Sequence, residues 1–422
     1  MIKIYQFDDV KKEEIFARND AQQDVSGKVR EIIADVVARG DAAVKEYTAK
    51  FDGAALDTLQ VSEQEMDEAF AAVEPSFIDI LKRAERNITR FHEKQVRASF
   101  IINDEDGVVM GQKVLPIEKV GIYVPAGTAP LSSTVLMDAI PARIAGCSEI
   151  VMVTPPGKDG KINPAMLAAA KIAGVSKIFK MGGAQAVAAL AYGTESVPKV
   201  DKIVGPGNAF VAEAKRQVFG RVAIDMIAGP SEILIVSDGK TDAKCLAADM
   251  LSQAEHDRNA SAVLVTDSMD TAKAVQQELE RQLETLPRKD IARVSIDNNG
   301  KIIVTDDLYA AVDVSNEIAP EHLELCVDDP FALLSRVKNA GSVFMGRNCP
   351  EALGDYMAGP NHTLPTSGTA KFSSPLSVDD FVKKTQYTYF TADALNLLAD
   401  DVAAFARMEQ LEAHARSAES RK

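Results

Sequence analysis

Two kinds of periodicity divide the chain. Over residues 1–100, apolar side chains recur at three- and four-residue spacing with charges between them, most clearly in Val29–Ala38 and Phe77–Arg97. That spacing puts the apolar positions on one stripe of a helix and predicts a mostly helical first hundred residues. From about residue 114 the texture changes to short β-branched runs: Val120–Val124, Ile150–Val153, Lys177–Lys180 and Lys202–Val204. Each ends in a Gly/Pro/Thr turn, and most then enter an alanine-rich helical stretch. A second series follows, Ile233–Val236, Ala262–Val265, Lys301–Val304 and Ser342–Met345. Short apolar strands alternating with helices predict βαβ units and parallel sheets. Beyond about residue 376 the chain reads as polar helix again, ending in a charged tail.

The expected architecture is therefore α/β: two Rossmann-like parallel-sheet domains with small helical N- and C-terminal segments. Changes of texture divide the chain into an N-terminal arm (1–20), a discontinuous first domain (21–118 plus 233–375), a second domain (119–232) and a helical tail (376–422). A length of 422 residues agrees, being too long for one ordinary core. The 62 acidic and 47 basic residues leave a net charge of -15, which argues against nucleic acid or an anionic membrane as the main partner. No apolar run approaches the roughly 20 residues that span a bilayer, and the N-terminus lacks a signal-peptide pattern. Cys147, Cys245, Cys326 and Cys349 show no paired spacing. They read as small buried hydrophobes, reduced in a cytoplasm.

Candidate chemistry sits around the histidines. Only five occur, and four lie in polar surroundings: Gln253-Ala-Glu-His256, Pro320-Glu321-His322, Asn361-His362 and His414. His92 has no such setting and reads as a structural or surface residue. Imidazole is both the commonest metal ligand and the side chain that titrates near neutrality. Read as one helix, Cys245–His256 puts Asp249, Gln253 and His256 in one narrow stripe beside Leu246, Met250 and Ala254. A Gln and a His three apart can reach one metal ion, although ordinary polar residues at a helix edge have the same spacing. Zinc suits imidazole with carboxylate oxygen, and Asp355, His362 and His414 could supply further ligands. Glu321 and His322 follow Ala319-Pro320, which should end any helix. On a loop the pair could divide two proton transfers, one at an alcohol and one at a water; a plain surface pair is the alternative. Gly182-Gly183-Ala-Gln185 and Gly205-Pro-Gly207-Asn208 each follow a predicted strand and open a helix, as phosphate-binding turns do. Neither is a GxGxxG fingerprint, and tight turns alone would also explain them.

Together these stretches resemble the histidinol dehydrogenase family, over roughly residues 25–418. The resemblance rests on Val120-Gly-Ile-Tyr-Val-Pro-Ala-Gly127, on Met181-Gly-Gly-Ala-Gln185 through Gly205-Pro-Gly-Asn-Ala-Phe210, on Ile224–Glu232 through Ser252-Gln-Ala-Glu-His256, and on Asn361-His-Thr-Leu-Pro-Thr-Ser-Gly-Thr-Ala370 continuing to Leu376-Ser-Val. It implies one zinc per subunit, held by Gln253, His256, Asp355 and His414, with His414 coming from the partner in a homodimer. It implies substrate contacts from Ser231, His322 and Glu409 as well as from the four metal ligands. Tyr123, Gln185 and Asn208 match the family's NAD contacts, and His362 is given a supporting role.

The reaction so implied is a four-electron oxidation of L-histidinol, through the aldehyde, to L-histidine with two NAD. His322 would take the hydroxyl proton and Glu321 would activate a water for the aldehyde step. No cysteine thiohemiacetal is needed, and none of the four cysteines lies in a matching motif. The nearest rival is a related zinc- and NAD-dependent dehydrogenase of another diol or amino alcohol, such as a sulfopropanediol. The presence of Ser231, Glu409 and His414 at the substrate end speaks against it. A zinc hydrolase using Glu321 on a metal-bound water would leave Tyr123, Gln185 and Asn208 unexplained.

Overall fold

A computed structural model describes residues 1–18, 24–126 and 130–422. Gly127, the end of the first motif, and the expected boundary between residues 20 and 21 lie outside the described residues.

The chain opens with a short strand, β1 (Lys3–Gln6), followed after an N-terminal arm by four helices, Ser26–Arg39, Asp41–Phe51, Glu63–Ala72 and Pro75–His92. Strands β2 (Phe100–Ile102) and β3 (Val108–Pro116) lead into the first βαβ series: β4 (Lys119–Tyr123), β5 (Glu149–Thr154), β6 (Lys177–Lys180), β7 (Lys202–Val204) and β8 (Ala223–Ile224). These five form a parallel sheet in the order β6-β5-β4-β7-β8. The second series is β9 (Glu232–Ser237), β10 (Ser261–Thr266), β11 (Lys301–Val304), β12 (His322–Cys326) and β13 (Ser342–Met345). It forms a parallel sheet ordered β11-β10-β9-β12-β13, with β1 added beside β11. Both orders run outward from the first strand and then reverse, the doubly wound pattern whose ligand crevice opens where the order switches. The expected two-sheet α/β architecture is what forms. Strands such as Ile150–Val153 and Ile233–Val236 are apolar throughout because helices cover both faces of each sheet.

Three elements differ from the expectation. The tail is not wholly helical: Val382–Phe390 is a nine-residue strand, β14, antiparallel to β3 along its length. Its residues are mostly exposed, so no apolar alternation marks it, and its Thr, Tyr and Phe content is the remaining strand signal. Strand β12 carries His322 and Glu324 in its buried interior, which breaks the apolar run that revealed its neighbours. The helices of residues 26–92, expected to join the 233–375 unit, pack instead beside the first sheet, on the helices that cover it. Val29, Ile32, Ile33 and Val36 share a core with Tyr123, Val151 and Phe179, while Ile78, Leu81 and Ile88 share one with Val120 and Ile122. The amphipathic stripes predicted the helices but carried no label of the sheet they cover.

Candidate active site

At the first sheet, β4 ends at Tyr123 and β7 leads to Asn208, on either side of the switch in strand order. The two glycine turns lie where the sequence put them. Gly182 caps the helix Gly183–Tyr192 after β6, and Asn208 caps Ala209–Val218 after β7. The Tyr123 hydroxyl accepts a hydrogen bond from the Gly183 amide at 2.9 Å. Burial pushes its pKa up to about 12, which keeps the phenol proton available for donation. Gln185 is 1% exposed, and its Oε1 has no partner. Gly205 has φ +109, and a Cβ there would stand 2.2 Å from the Tyr123 carbonyl oxygen. Its amide donates to Asp225 and its carbonyl accepts from Lys215, two side chains that are themselves ion-paired and buried. Asn208 Oδ1 accepts from the Phe210 and Val211 amides, so this oxygen serves the helix start.

The second sheet has the same strand order, but its carboxyl-end switch point is filled. Arg347 pairs with Asp238 after β9 and Asp328 after β12, and donates to Thr241. The chemistry there lies at the opposite, amino ends of β9 and β12. Glu321 comes just before β12, after the helix Leu308–Ile318 and the left-handed Ala319, and His322 is the first residue of the strand rather than part of a loop. A carbonyl oxygen can only accept, and Glu232 O lies 3.0 Å from His322 Nδ1, so Nδ1 carries the proton. The lone pair is thereby placed on Nε2, which is buried and has no hydrogen-bond partner. Burial pushes the imidazole pKa down to about 4 and keeps the ring neutral. Glu321 Oε2 accepts from the Glu232 amide at 2.9 Å and lies 3.6 Å from His322 Nδ1. Burial in this setting lifts its carboxyl well above the usual carboxylate range. One residue, Glu232, thus holds both members of the pair through its backbone.

Facing His322 are Glu351 and Asp355. A ligand atom of each of the three residues lies within 4.8 Å of the others. Glu351 starts a short helical turn, and a shift of four residues brings Asp355 to the same side. Ser252 donates to Glu351 Oε2 at 3.0 Å, while Glu351 Oε1 has no partner. Burial, with Asp355 alongside, pushes the Glu351 pKa up to about 8. Burial opposes ionisation of Asp355, but hydrogen bonding to His362, the fields of His362 and His322 and a hydrogen bond with Glu351 together outweigh it and hold this carboxyl below the ordinary range. His362 Nδ1 is 3.5 Å from Asp355, and its Nε2 is 3.2 Å from Thr134 Oγ1.

Gln253 lies on the helix Ala243–Ala254, 1% exposed, with Oε1 unpartnered. His256 falls two residues past the end of that helix, in a turn closed by its amide on Gln253 O, and is exposed. The helix is thus two residues shorter than expected, although Glu255 keeps helical backbone angles and the turn carries the chain on to His256. The buried Gln253 Oε1 without a partner is the kind of acceptor a cation satisfies, and an amide oxygen, the Asp355 carboxylate and imidazole nitrogen are donors that suit zinc. Ser231 is half-buried directly before β9. Glu409 and His414 are exposed on the C-terminal helices, and among the described residues no hydrogen bond or ion pair joins them to Gln253, His256 or Asp355.

Residues 361–368 connect the two halves. Asn361 Nδ2 donates to Met137 O, and Thr363 donates to the buried Asp138, both on the helix Ser132–Ala145 beside the first sheet. Thr366 Oγ1 accepts from the Gly229 amide and Glu232 Oε2 from the Ser367 amide, beside the second. His92, unremarkable in sequence, is fully buried here, between Ile88 O and Asn361. Sequence reasoning missed Glu232 and Glu351. The only trace of Glu351 was a carboxylate four residues before Asp355; Glu232 closes the Ile224–Glu232 motif, but its backbone contacts to Glu321 and His322 left no signal there.

A family model described as histidinol dehydrogenase matches residues 16–422. The chain is 56% identical over 393 residues to a histidinol dehydrogenase of Geobacillus kaustophilus, covering 93% of each. It is 55% identical over 408 residues to that of Geobacter sulfurreducens, covering 96% of this chain and 95% of the relative. The crystal structure of histidinol dehydrogenase from Elizabethkingia anophelis superposes with a TM-score of 0.93 at 38% identity, covering 99% of this chain and 97% of that one.

Proposed function

The chain belongs to the histidinol dehydrogenase family, and from that premise we propose how its residues divide the oxidation of L-histidinol to L-histidine. The family membership makes it an NAD-dependent oxidoreductase of histidine biosynthesis. The observation that carries the mechanism is the pinned, neutral His322 with a free Nε2 beside a buried Glu321.

The overall change is alcohol plus water plus two NAD to carboxylate, two NADH and three protons. NAD supplies the two hydride acceptors, and Tyr123, Gln185 and Asn208 are the residues that would hold it at the carboxyl ends of the first sheet's strands. Zinc, when bound by Gln253, His256, Asp355 and His414 of the partner subunit, supplies redox-inert coordination that orients the substrate. His322 Nε2 takes the hydroxyl proton in the alcohol step, its Nδ1–H remaining on Glu232 O. Glu321 then takes a proton from the water that adds to the aldehyde carbon. Burial holds the Glu321 carboxyl above the usual carboxylate range, which makes its ionised form a stronger base for that exchange than an ordinary carboxylate. His322 acts again as the hydrated aldehyde is oxidised. Ser231 and Glu409 of the partner subunit would complete the substrate contacts, and His362 orients Asp355. Four unpaired cysteines fit a reducing compartment such as the cytoplasm.

A diol dehydrogenase of the same fold is disfavoured by the identity with histidinol dehydrogenases over nearly the whole chain. The division of labour is tested by single-turnover rates for histidinol and for histidinal. His322→Asn should slow both by about 10²–10⁴-fold, the usual worth of a general base, whereas Glu321→Gln should cripple mainly the aldehyde step. Intact aldehyde oxidation by folded Glu321→Gln protein would remove Glu321 from the mechanism.

A further inference from the structure

We propose that Arg18, on the N-terminal arm, is a positioning residue for the Glu321–His322 pair, acting through Glu232. The inference rests on the reading of that pair given above and extends it to a segment far away in sequence.

Arg18 makes two contacts that bracket the pair. Its Nη1 lies 3.0 Å from Glu232 Oε1, and its Nη2 donates to Ile318 O. Glu232 is the residue whose amide holds Glu321 Oε2 and whose carbonyl holds His322 Nδ1–H. Ile318 is the last residue of the helix that delivers the pair, followed by Ala319 at φ 51 and Pro320. Arg18 therefore joins the strand start that clamps the two side chains to the turn that supplies their backbone. A guanidinium fork can meet both partners at once, whereas an ammonium is a single point charge.

The fork is itself held in place. Gly368, at φ +77, lies against it closely enough that a Cβ there would be 3.3–3.4 Å from the guanidinium atoms. The neighbouring Ser367 amide donates to the other Glu232 oxygen at 3.2 Å. Glu232 is thus gripped from the N-terminal arm and from the 361–368 connection together. The side chains of Arg18 and Glu232 are 28% and 13% exposed, so the pair is partly shielded from the screening that weakens surface pairs. Arg18 reaches neither reacting atom in this arrangement. Its effect is on where Nε2 and the Glu321 carboxylate stand, and a displacement of about 1 Å at reacting groups can cost on the order of 10²-fold in rate.

The test uses the full-length, metal-loaded enzyme with Arg18→Gln, Arg18→Lys and Glu232→Gln. We expect kcat to fall about 10- to 100-fold in Arg18→Gln, equally for histidinol and histidinal, with KM for NAD unchanged and Arg18→Lys recovering part of the loss. The equal loss follows because both members of the pair hang on one residue. In a His322→Asn background, adding Arg18→Gln should cost less than twofold more in the alcohol step, where His322 is the member of the pair at work and little is left to position. A merely structural role would instead lower the melting temperature and multiply with His322→Asn. Undiminished kcat in folded Arg18→Gln, or a full multiplicative loss in the double variant, would overturn the inference. Should Arg18→Gln not fold, Glu232→Gln carries the same test, because it keeps the backbone clamp and removes the ion pair. An unmodified enzyme that fails to oxidise histidinol would overturn the functional reading itself; an active one with insensitive Arg18 would overturn only this step.

Discussion

At the scale of single residues, the site depends on who holds which hydrogen bond. The dipeptide Glu321-His322 stood out in the sequence, but its meaning came from Glu232, whose backbone fixes the imidazole tautomer. A backbone contact between residues 90 positions apart leaves no signature in composition or spacing. Asn208 shows a second ambiguity of this kind: the resemblance marks it as an NAD contact, while its Oδ1 caps a helix. The two roles use different atoms and are separable. Asn208→Asp keeps the capping oxygen and removes the amide donor, so stability should hold while affinity for NAD falls. Asn208→Ala should lose both, with about 1 kcal/mol of stability going with the cap. Thermal melts and NAD titration of the two variants decide this, and equal destabilisation by both would refute the separation.

At the scale of elements, what was legible depended on burial. Strands enclosed on both faces, such as Lys177–Lys180 and Lys301–Val304, have apolar β-branched or aromatic centres, Ile178-Phe179 and Ile302-Ile303-Val304, and were recognisable in full. Those with polar duty or open faces, β12 and β14, were not. The spacing extends the helix to His256, whereas it ends two residues earlier, at Ala254, and a closing turn carries His256. In the C-terminal helices, Ala403, Ala406 and Ala415 form a small cluster of their own. That separateness has a consequence. Truncation before Glu409 should leave both parallel sheets folded, because their cores contain no residue from 409 onward, yet abolish histidinol oxidation by removing Glu409 and His414. Far-ultraviolet dichroism with an activity assay would check it, and an active truncated protein would exclude the tail from the site.

At the scale of the whole molecule, two sheets with the same winding divide the work because their crevices differ. The first carries Tyr123 and the Gly205 turn at its switch point, whereas the second fills the equivalent position with Arg347 and its carboxylates and places its chemistry at the other end. The sequence showed two series but not which helices cover which sheet, since an apolar stripe does not name its partner. Leu397, Phe405 and Met408 are 82%, 69% and 86% exposed on the helix that precedes Glu409. An apolar surface of that kind suits the homodimer proposed for the shared site. Among the described residues no helix is long and apolar enough to cross a membrane. The central claim, a zinc-dependent four-electron oxidation, is tested most directly by counting NADH formed per L-histidinol consumed, with and without a chelator and with zinc restored. We predict two NADH per histidinol, lost on chelation and recovered with zinc. A ratio of one, or turnover indifferent to chelation, would contradict the account.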